Sequence, residues 1–277
     1  TNILHEELLQ EGTSVLLLSY TNRAVDEICS KLVELDGGID FVRLGSDFSC
    51  EERYRKYLLS ERVSKYDTLQ QVKHLIRHTR VFCGTTTALN SSISLLEMRQ
   101  FSLAIIDEAS QILEPHIVGL LSACYQGKAA IKRFVLIGDE KQLPAVVLQA
   151  EDESRVADPM LQQIGFTDCR LSLFERLLHL YGYDGNHHTD ERVCHMLTHQ
   201  GRMHQEIADF PNHAFYEGRL NAVPLPHQTE PTPQKGESDN WIDNLIETRR
   251  VAFLSCLPNN HPDEPDKVNT VEAELIA

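Results

Sequence analysis

The sequence lacks the features that would indicate a membrane protein, a secreted protein or a binder of bulk nucleic acid. Its longest apolar runs, at 15–18 and 103–106, are far shorter than the roughly 18 residues of a membrane helix, and its first residues do not resemble a secretory leader. The seven cysteines include no Cys-x-x-Cys pair, which predicts reduced thiols in the cytoplasm. Basic residues are few, since 26 Lys and Arg stand against 41 Asp and Glu, a net charge of −15. Any contact with nucleic acid must therefore be local.

The order of apolar runs and helical patterns predicts an α/β fold with a parallel sheet. Short runs rich in β-branched residues, typical of buried strands, occur at 14–19, 40–44, 80–83, 102–106 and 133–137. Between the first two, apolar residues recur at helical spacing, and a Gly pair at 37–38 predicts the end of that helix. We expect a helical insertion at about 50–78 and a further helix at 171–180. A chain of 277 residues is long enough for two domains.

The last third of the sequence predicts the beginning of a second domain. Glycines and polar residues at 181–188 indicate a linker, placed at 185–195, between a first domain at 1–184 and a partial second domain at 196–277. In the second domain we expect strands at 196–199 and 250–255 and helices at 206–215 and 268–277. The proline-rich stretch 224–239 predicts an irregular loop.

Small, acidic and amide residues follow four of the predicted strands, at 20–23, 84–87, 107–110 and 138–142. Open parallel sheets bind ligands at the carboxyl ends of their strands. Directly after a buried strand, Asp107 could hold Mg²⁺ and Glu108 could activate a water. The structural alternative is a helix N-cap Asp107 followed by a Glu108 that the helix dipole favours.

Two further positions could complete a phosphate site. Gly138 allows close backbone approach, Asp139 could share the metal-side network, and Gln142 could place an amide near a phosphate or the attacking water. The alternative is a simple turn closed by Pro144. Arg202, after the linker, has the guanidinium geometry that matches phosphate oxygens, although a solvated surface Arg is the commoner role.

Four segments in order resemble successive motifs of superfamily 1 helicases. They are LLSYTNRAVD at 17–26, IIDEASQ at 105–111, LIGDEKQLP at 136–144, and QGRMH at 200–204 followed by FPN and FYEG. The branch they resemble includes the nonsense-mediated-decay helicase and the Okazaki-fragment nuclease-helicase. VNTVEA at 268–273 is also similar to a segment of that family's second domain.

This resemblance implies two RecA-like domains, the first nearly complete, with ATP between them and single-stranded DNA or RNA across their top. It implies that Asp107 holds Mg²⁺, Glu108 is the general base, Gln142 contacts the γ-phosphate and Arg202 is an arginine finger. It also implies 5′ to 3′ movement. The residues that match its nucleic-acid motifs are Thr21, Asn22, Arg23, Thr85 and Thr86.

The sequence departs from the family pattern in its phosphate loop and at Gly201. No G-x-x-x-x-G-K-[ST] occurs, since the Gly-Lys-Ala at 127–129 has neither the upstream Gly nor the hydroxyl. We expect that loop just before Thr1 and the later motifs after Ala277, so the isolated chain should lack ATPase activity. Gly201 stands where the family usually has a Tyr that stacks on the base.

Two other classes of function remain open. One is a helicase-like regulatory or nucleic-acid-binding module without hydrolysis. The other is metal binding near the linker, where the spacings match no closed zinc site. The residues concerned are His187, His188, Cys194, His195, His199 and His204.

Overall fold

The computed structural model describes residues 2–35, 38–182, 192–231, 240–255 and 269–276. In chain order the strands are β1 (Val15–Ser19), β2 (Phe41–Arg43), β3 (Val81–Thr85), β4 (Leu103–Ile106), β5 (Cys124–Tyr125), β6 (Lys128–Ala129), β7 (Phe134–Leu136), β8 (His199–Gln200) and β9 (Asn221–Ala222). The chain divides into two compact units, Thr1–His195 and Met196–Ala277.

A five-stranded parallel sheet forms the centre of the first unit, in the order β2-β3-β1-β4-β7. All five predicted strands of this unit are confirmed, each within one or two residues of its predicted bounds. β3 continues to Thr85 through Gly84, where a Cβ would lie 2.9 Å from Leu44 Cβ. The absence of a side chain at Gly84 therefore lets β3 pass close to the end of β2.

Helices surround the sheet and account for the predicted insertion. In chain order they are α1 (Asn2–Leu9), α2 (Asn22–Glu34), α3 (Leu59–Val63), α4 (Leu69–His78), α5 (Thr86–Asn90), α6 (Ser94–Met98), α7 (Val118–Ser122), α8 (Glu151–Ser154), α9 (Pro159–Gln163), α10 (Leu173–Tyr181), α11 (Gln205–Phe215), α12 (Trp241–Thr248) and α13 (Thr270–Ile276). Short 3₁₀ segments lie at Asp47–Ser49, Glu52–Tyr57, Ala109–Gln111, Glu114–His116 and Pro226–Gln228. The helical insertion and the helix predicted at 171–180 are confirmed.

The core lies on both faces of the sheet. Along β1, Leu16 and Leu18 pack into one apolar cluster, while Val15 and Leu17 pack into another that includes residues of α2. Alternate side chains of a strand point to opposite faces, so a strand covered on both faces is apolar throughout. This explains why the strands of this unit are continuous apolar runs in the sequence.

The second unit differs from the prediction in its strands. The strand predicted at 250–255 is wrong: residues 251–255 have no regular structure and are exposed. An apolar run forms a strand only where a neighbour pairs with it, and none of the described strands pairs with this run. The strand predicted at 196–199 is shifted to β8, because its pairing partner β9 lies opposite His199 and Gln200.

Other predictions for this region are confirmed or lie outside the described residues. The predicted helices at 206–215 and 268–277 are α11 and α13. The predicted loop at 224–239 contains one 3₁₀ turn, and its residues 232–239 are outside the described ranges, as are 183–191 of the linker region. Within those ranges, no helix combines the length and apolar character that crossing a membrane requires.

Candidate active site

The parallel sheet brings four of the predicted polar segments to one edge. β1, β3, β4 and β7 run in the same direction, and residues 20–23, 84–87, 107–110 and 138–142 follow their carboxyl ends. The order of the sheet places the acidic segment after β4 next to the segment after β7. The segments that resemble nucleic-acid motifs follow β1 and β3, on the other side of β4.

Asp107 and Glu108 form a tight turn at the end of β4. The Asp107 N–H donates to the Leu18 carbonyl at 2.8 Å, which ties the turn to β1. Asp107 Oδ1 accepts the N–H of Glu108 at 3.1 Å, and the Asp107 side chain does not cap a helix. The capping alternative is therefore not realised.

The backbone of Glu108 is in the left-handed region, with φ 55°, and one oxygen of its carboxylate accepts a hydrogen bond. Non-glycine residues adopt this conformation rarely, and such strain is common at functional sites. Gln111 Nε2 donates to Glu108 Oε2 at 3.0 Å, so the 3₁₀ turn that follows orients the carboxylate. Glu108 is half-buried, which leaves it accessible to water.

Gly138 lets the loop after β7 contact the loop after β4. A Cβ at Gly138 would lie 2.9 Å from the Ser110 backbone nitrogen. The Ala109 N–H donates to the Ile137 carbonyl at 2.8 Å, and the Asp139 N–H donates to Ser110 Oγ at 3.2 Å. The two loops are thus joined directly, as the prediction of close backbone approach at Gly138 requires.

Asp139 organises the loop that presents Gln142. Its Oδ1 accepts the Lys141 N–H at 3.0 Å, and its Oδ2 accepts from Gln142 Nε2 at 2.8 Å. Gln142 is exposed at the surface of this loop. The carboxylate of Asp139 therefore stabilises the turn and orients the Gln142 amide.

The donor chemistry of Asp107 fits a magnesium ion. Mg²⁺ in nucleotide sites is bound by one or two carboxylates, with water and substrate phosphates as the other ligands. Asp107 is half-buried, and none of the described residues donates a hydrogen bond to its Oδ2. One carboxylate oxygen thus holds the turn while the other remains available as a ligand.

The residues that resemble nucleic-acid motifs fall into an exposed and a buried group. Thr21, Asn22 and Arg23 are exposed at the start of α2, where Thr21 Oγ1 accepts the Ala24 N–H at 3.2 Å. The second group lies at the start of α5 and is buried: the exposed fraction is 7% for Thr85 and 3% for Thr86.

Thr85 has a structural role that sequence reasoning missed. Its Oγ1 accepts the Ala88 N–H at 3.0 Å and so caps α5. Thr87, the next residue after Thr86, is exposed at the same helix start. The exposed hydroxyl of this segment is therefore on Thr87, a position that the motif resemblance did not include.

Arg202 lies in a hydrogen-bonded loop of the second unit. Gln200 Oε1 accepts the N–H groups of Arg202 at 3.1 Å and of Met203 at 2.8 Å. The buried Gln228 Nε2 donates to the carbonyls of Gln200 at 2.9 Å and Met203 at 3.1 Å. The Arg202 side chain is exposed. Sequence reasoning missed Gln200 and Gln228, whose amides shape this loop.

The histidines near the linker do not form a metal centre within the part of the chain that is described. No group of three or more His, Cys, Asp or Glu side chains there is arranged to hold a metal ion. His204 instead caps α11, with its Nδ1 accepting the Glu206 N–H at 3.2 Å. His187 and His188 lie outside the described residues.

Comparison with known proteins identifies relatives of the chain. Two family models, each described as an AAA domain, match residues 60–150 and 169–277. The DNA replication ATP-dependent helicase/nuclease DNA2 of Xenopus laevis is 30% identical over 284 residues, an alignment that covers 96% of this chain. The chain belongs to superfamily 1 of the helicases. Within it, the chain lies in the branch of the Okazaki-fragment nuclease-helicase.

Other relatives of this helicase chain have the same printed name. The proteins from Bos taurus and Saccharomyces cerevisiae are 32% and 30% identical to it, over 96% and 97% of the chain. The chain spans about a quarter or less of the length of these relatives: 24% of the Xenopus and Bos proteins and 17% of the yeast protein.

Proposed function

We propose that this chain provides the ATP-hydrolysing and strand-binding core of an ATP-dependent helicase or translocase. The observation that supports the proposal best is the direct contact at Gly138 between the loops after β4 and β7. That contact places the Asp107–Glu108 turn beside the loop that presents Gln142. An acidic pair and an amide at neighbouring strand ends are among the groups that phosphoryl transfer to water uses.

Each residue of the proposed site has a separate role. Asp107 would bind Mg²⁺, which when present neutralises charge on the phosphate oxygens. Glu108 would accept a proton from the attacking water, in an orientation fixed by Gln111. Gln142 would contact the γ-phosphate, and Asp139 positions the Gln142 amide.

Arg202 would supply positive charge to the transferring phosphoryl group as an arginine finger. Its exposed side chain and the hydrogen-bonded loop beneath it support this role, since a fixed backbone lowers the entropy cost of placing the guanidinium. The proposed role of Arg202 rests on the family resemblance, and a substitution of Arg202 tests it separately.

Single-stranded DNA or RNA would bind at the strand ends of β1 and β3, through the residues at 21–23 and at 85–86. Because Thr85 and Thr86 are buried, contacts there would come from backbone N–H groups and from the exposed side chains of Thr21, Asn22 and Arg23. Contacts of this local kind are compatible with a net charge of −15.

The 277 residues contain no G-x-x-x-x-G-K-[ST] motif, whose backbone N–H groups and Lys bind the triphosphate. We therefore expect little ATP turnover from these residues alone. A protein that joins them to a phosphate loop should hydrolyse ATP in a manner stimulated by single-stranded nucleic acid.

The test is ATP turnover by such a protein, with and without single-stranded DNA or RNA, beside Glu108→Gln. Stimulated turnover that the substitution abolishes would support the proposal. Strand binding without turnover would instead support the alternative of a nucleic-acid-binding module.

A further inference from the structure

Phe48 lies in the turn after β2, and none of the described residues covers its side chain. Its side chain is 97% exposed, more than any other large apolar side chain in the described ranges. Moving an exposed aromatic ring out of water and into contact with an apolar or aromatic group lowers the free energy. Phe48 lies in the 3₁₀ turn Asp47–Ser49, four residues after Leu44.

The turn that carries Phe48 is closed by its own hydrogen bonds. Ser49 donates to the Ser46 carbonyl through its N–H at 3.2 Å and through its Oγ at 3.0 Å. The two hydroxyl oxygens are 3.1 Å apart. These bonds join Ser46 and Ser49 and so close the turn around Phe48.

A buried ion pair anchors this turn to helix α2. Arg43 is fully buried, and its Nη2 donates to the Ser49 carbonyl at 2.8 Å. Its Nε donates to Asp26 Oδ1 at 3.0 Å. Asp26 lies in the second turn of α2, whose first residues include Asn22 and Arg23. One guanidinium thus links the Phe48 turn to the helix that begins at the proposed strand-binding edge.

The sheet order places the carboxyl end of β2 on the same edge as the proposed strand contacts, and Phe48 lies in the turn that follows β2. β2 is the neighbour of β3, and β3 is the neighbour of β1, all in parallel. The Leu44 N–H donates to the Cys83 carbonyl at 2.7 Å, next to Gly84 and the start of α5. Neighbouring strands are about 4.8 Å apart, so the end of β2 lies roughly 10 Å from the end of β1.

We propose that Phe48 stacks on a base of single-stranded nucleic acid and extends the binding edge from β1 and β3 to β2. This inference rests on the proposed strand-binding function and adds a contact outside the segments that resemble known motifs. Base stacking depends on the π-face that every base has and not on net charge, so it suits an acidic chain. It also gives a partner to an aromatic ring that is otherwise in water.

The test measures binding of the chain to a labelled oligothymidylate of about 15 nucleotides by fluorescence anisotropy, with oligouridylate as a second arm. Phe48→Ala should raise Kd about tenfold, as expected for the loss of one stacked base. Phe48→Tyr retains the ring and should bind within about twofold of the unsubstituted chain. Leu69→Ala is the matched control, because Leu69 is also exposed (68%) but begins α4.

An oligonucleotide of the same length with abasic sites separates stacking from phosphate contacts. The Phe48→Ala variant should bind this abasic oligonucleotide as tightly as the unsubstituted chain does, since an abasic site has no base for Phe48 to stack on. An equal loss on the abasic strand, or no loss on oligothymidylate, would overturn the inference while the proposed function stands. No strand binding by the unsubstituted chain would contradict the strand-binding part of the proposed function and this inference together.

Discussion

Removing Asp26 should destabilise the first unit strongly, because it leaves Arg43 charged and buried without its partner. Asp26 Oδ1 lies 2.9 Å from Arg43 Nη2 and 3.0 Å from Nε, and Oδ2 accepts the Glu51 N–H at 3.1 Å. Arg43 Nη1 already has no hydrogen-bond partner among the described residues. After Asp26→Ala, the Ser49 carbonyl would be the one acceptor left to the guanidinium within that part of the chain.

The expected cost is about 3–5 kcal/mol of unfolding free energy, the range for breaking a buried pair by removal of one member. Replacing both residues by apolar side chains, as in Asp26→Leu with Arg43→Met, should cost much less than the sum of the single changes. The exposed pair Lys31–Glu34 on the same helix is the control, and Glu34→Ala should cost less than about 1 kcal/mol.

Urea unfolding followed by far-UV circular dichroism measures these differences. Fluorescence is a poor probe here, because the single Trp, Trp241, lies in the second unit. If Asp26→Ala were no more destabilising than Glu34→Ala, the reasoning about the buried pair would be refuted.

Three further predictions concern the site, acid stability and a hairpin. Gly138→Ala should push apart the loops after β4 and β7, lowering stability by about 1–3 kcal/mol in urea unfolding and reducing the stimulated ATP turnover of a protein that joins this chain to a phosphate loop, both measured against the unsubstituted protein. Hydrogen bonds from Arg170 lower the pKa of Asp168 to about 2, so this carboxylate stabilises the fold at neutral pH and loses that effect as pH falls. Urea titrations should therefore show a shallower loss of stability in Asp168→Asn between about pH 4 and pH 2. Gln126 (φ 49°) precedes Gly127 in the tight hairpin β5–β6, so Gln126→Asn should raise the melting temperature slightly, and a lowered one would contradict this turn assignment.

The parts of the fold that follow from local pattern could be predicted from the sequence. Strands covered on both faces are continuous apolar runs, which is why the central sheet was predicted within one or two residues of each end. The run at 250–255 has the same composition, but pairing with a neighbour is a property of the tertiary structure and not of the run itself.

The candidate site also has features that the local sequence pattern predicts and features that depend on tertiary contacts. Position after a buried strand was enough to select Asp107 and Glu108, and a Gly after the next strand indicated close approach at Gly138. The burial of Thr85 and the orientation of Glu108 by Gln111 depend on contacts that a strand-end pattern does not contain.

Links between distant residues were not predictable. Arg43 and Asp26 each resemble surface residues in the sequence, and their pairing across 17 positions exists only because β2 and α2 pack together. Buried charges are uncommon, so a sequence pattern favours exposure for both.

The measurement that tests the central claim most directly is ATP turnover by a protein that joins this chain to a phosphate loop, compared with its Glu108→Gln variant. We predict turnover stimulated by single-stranded nucleic acid and a loss of at least about a hundredfold in the variant, the usual contribution of a general base. The variant should still bind the single strand. Turnover that is unchanged in Glu108→Gln would contradict the assignment of the active site to the end of β4.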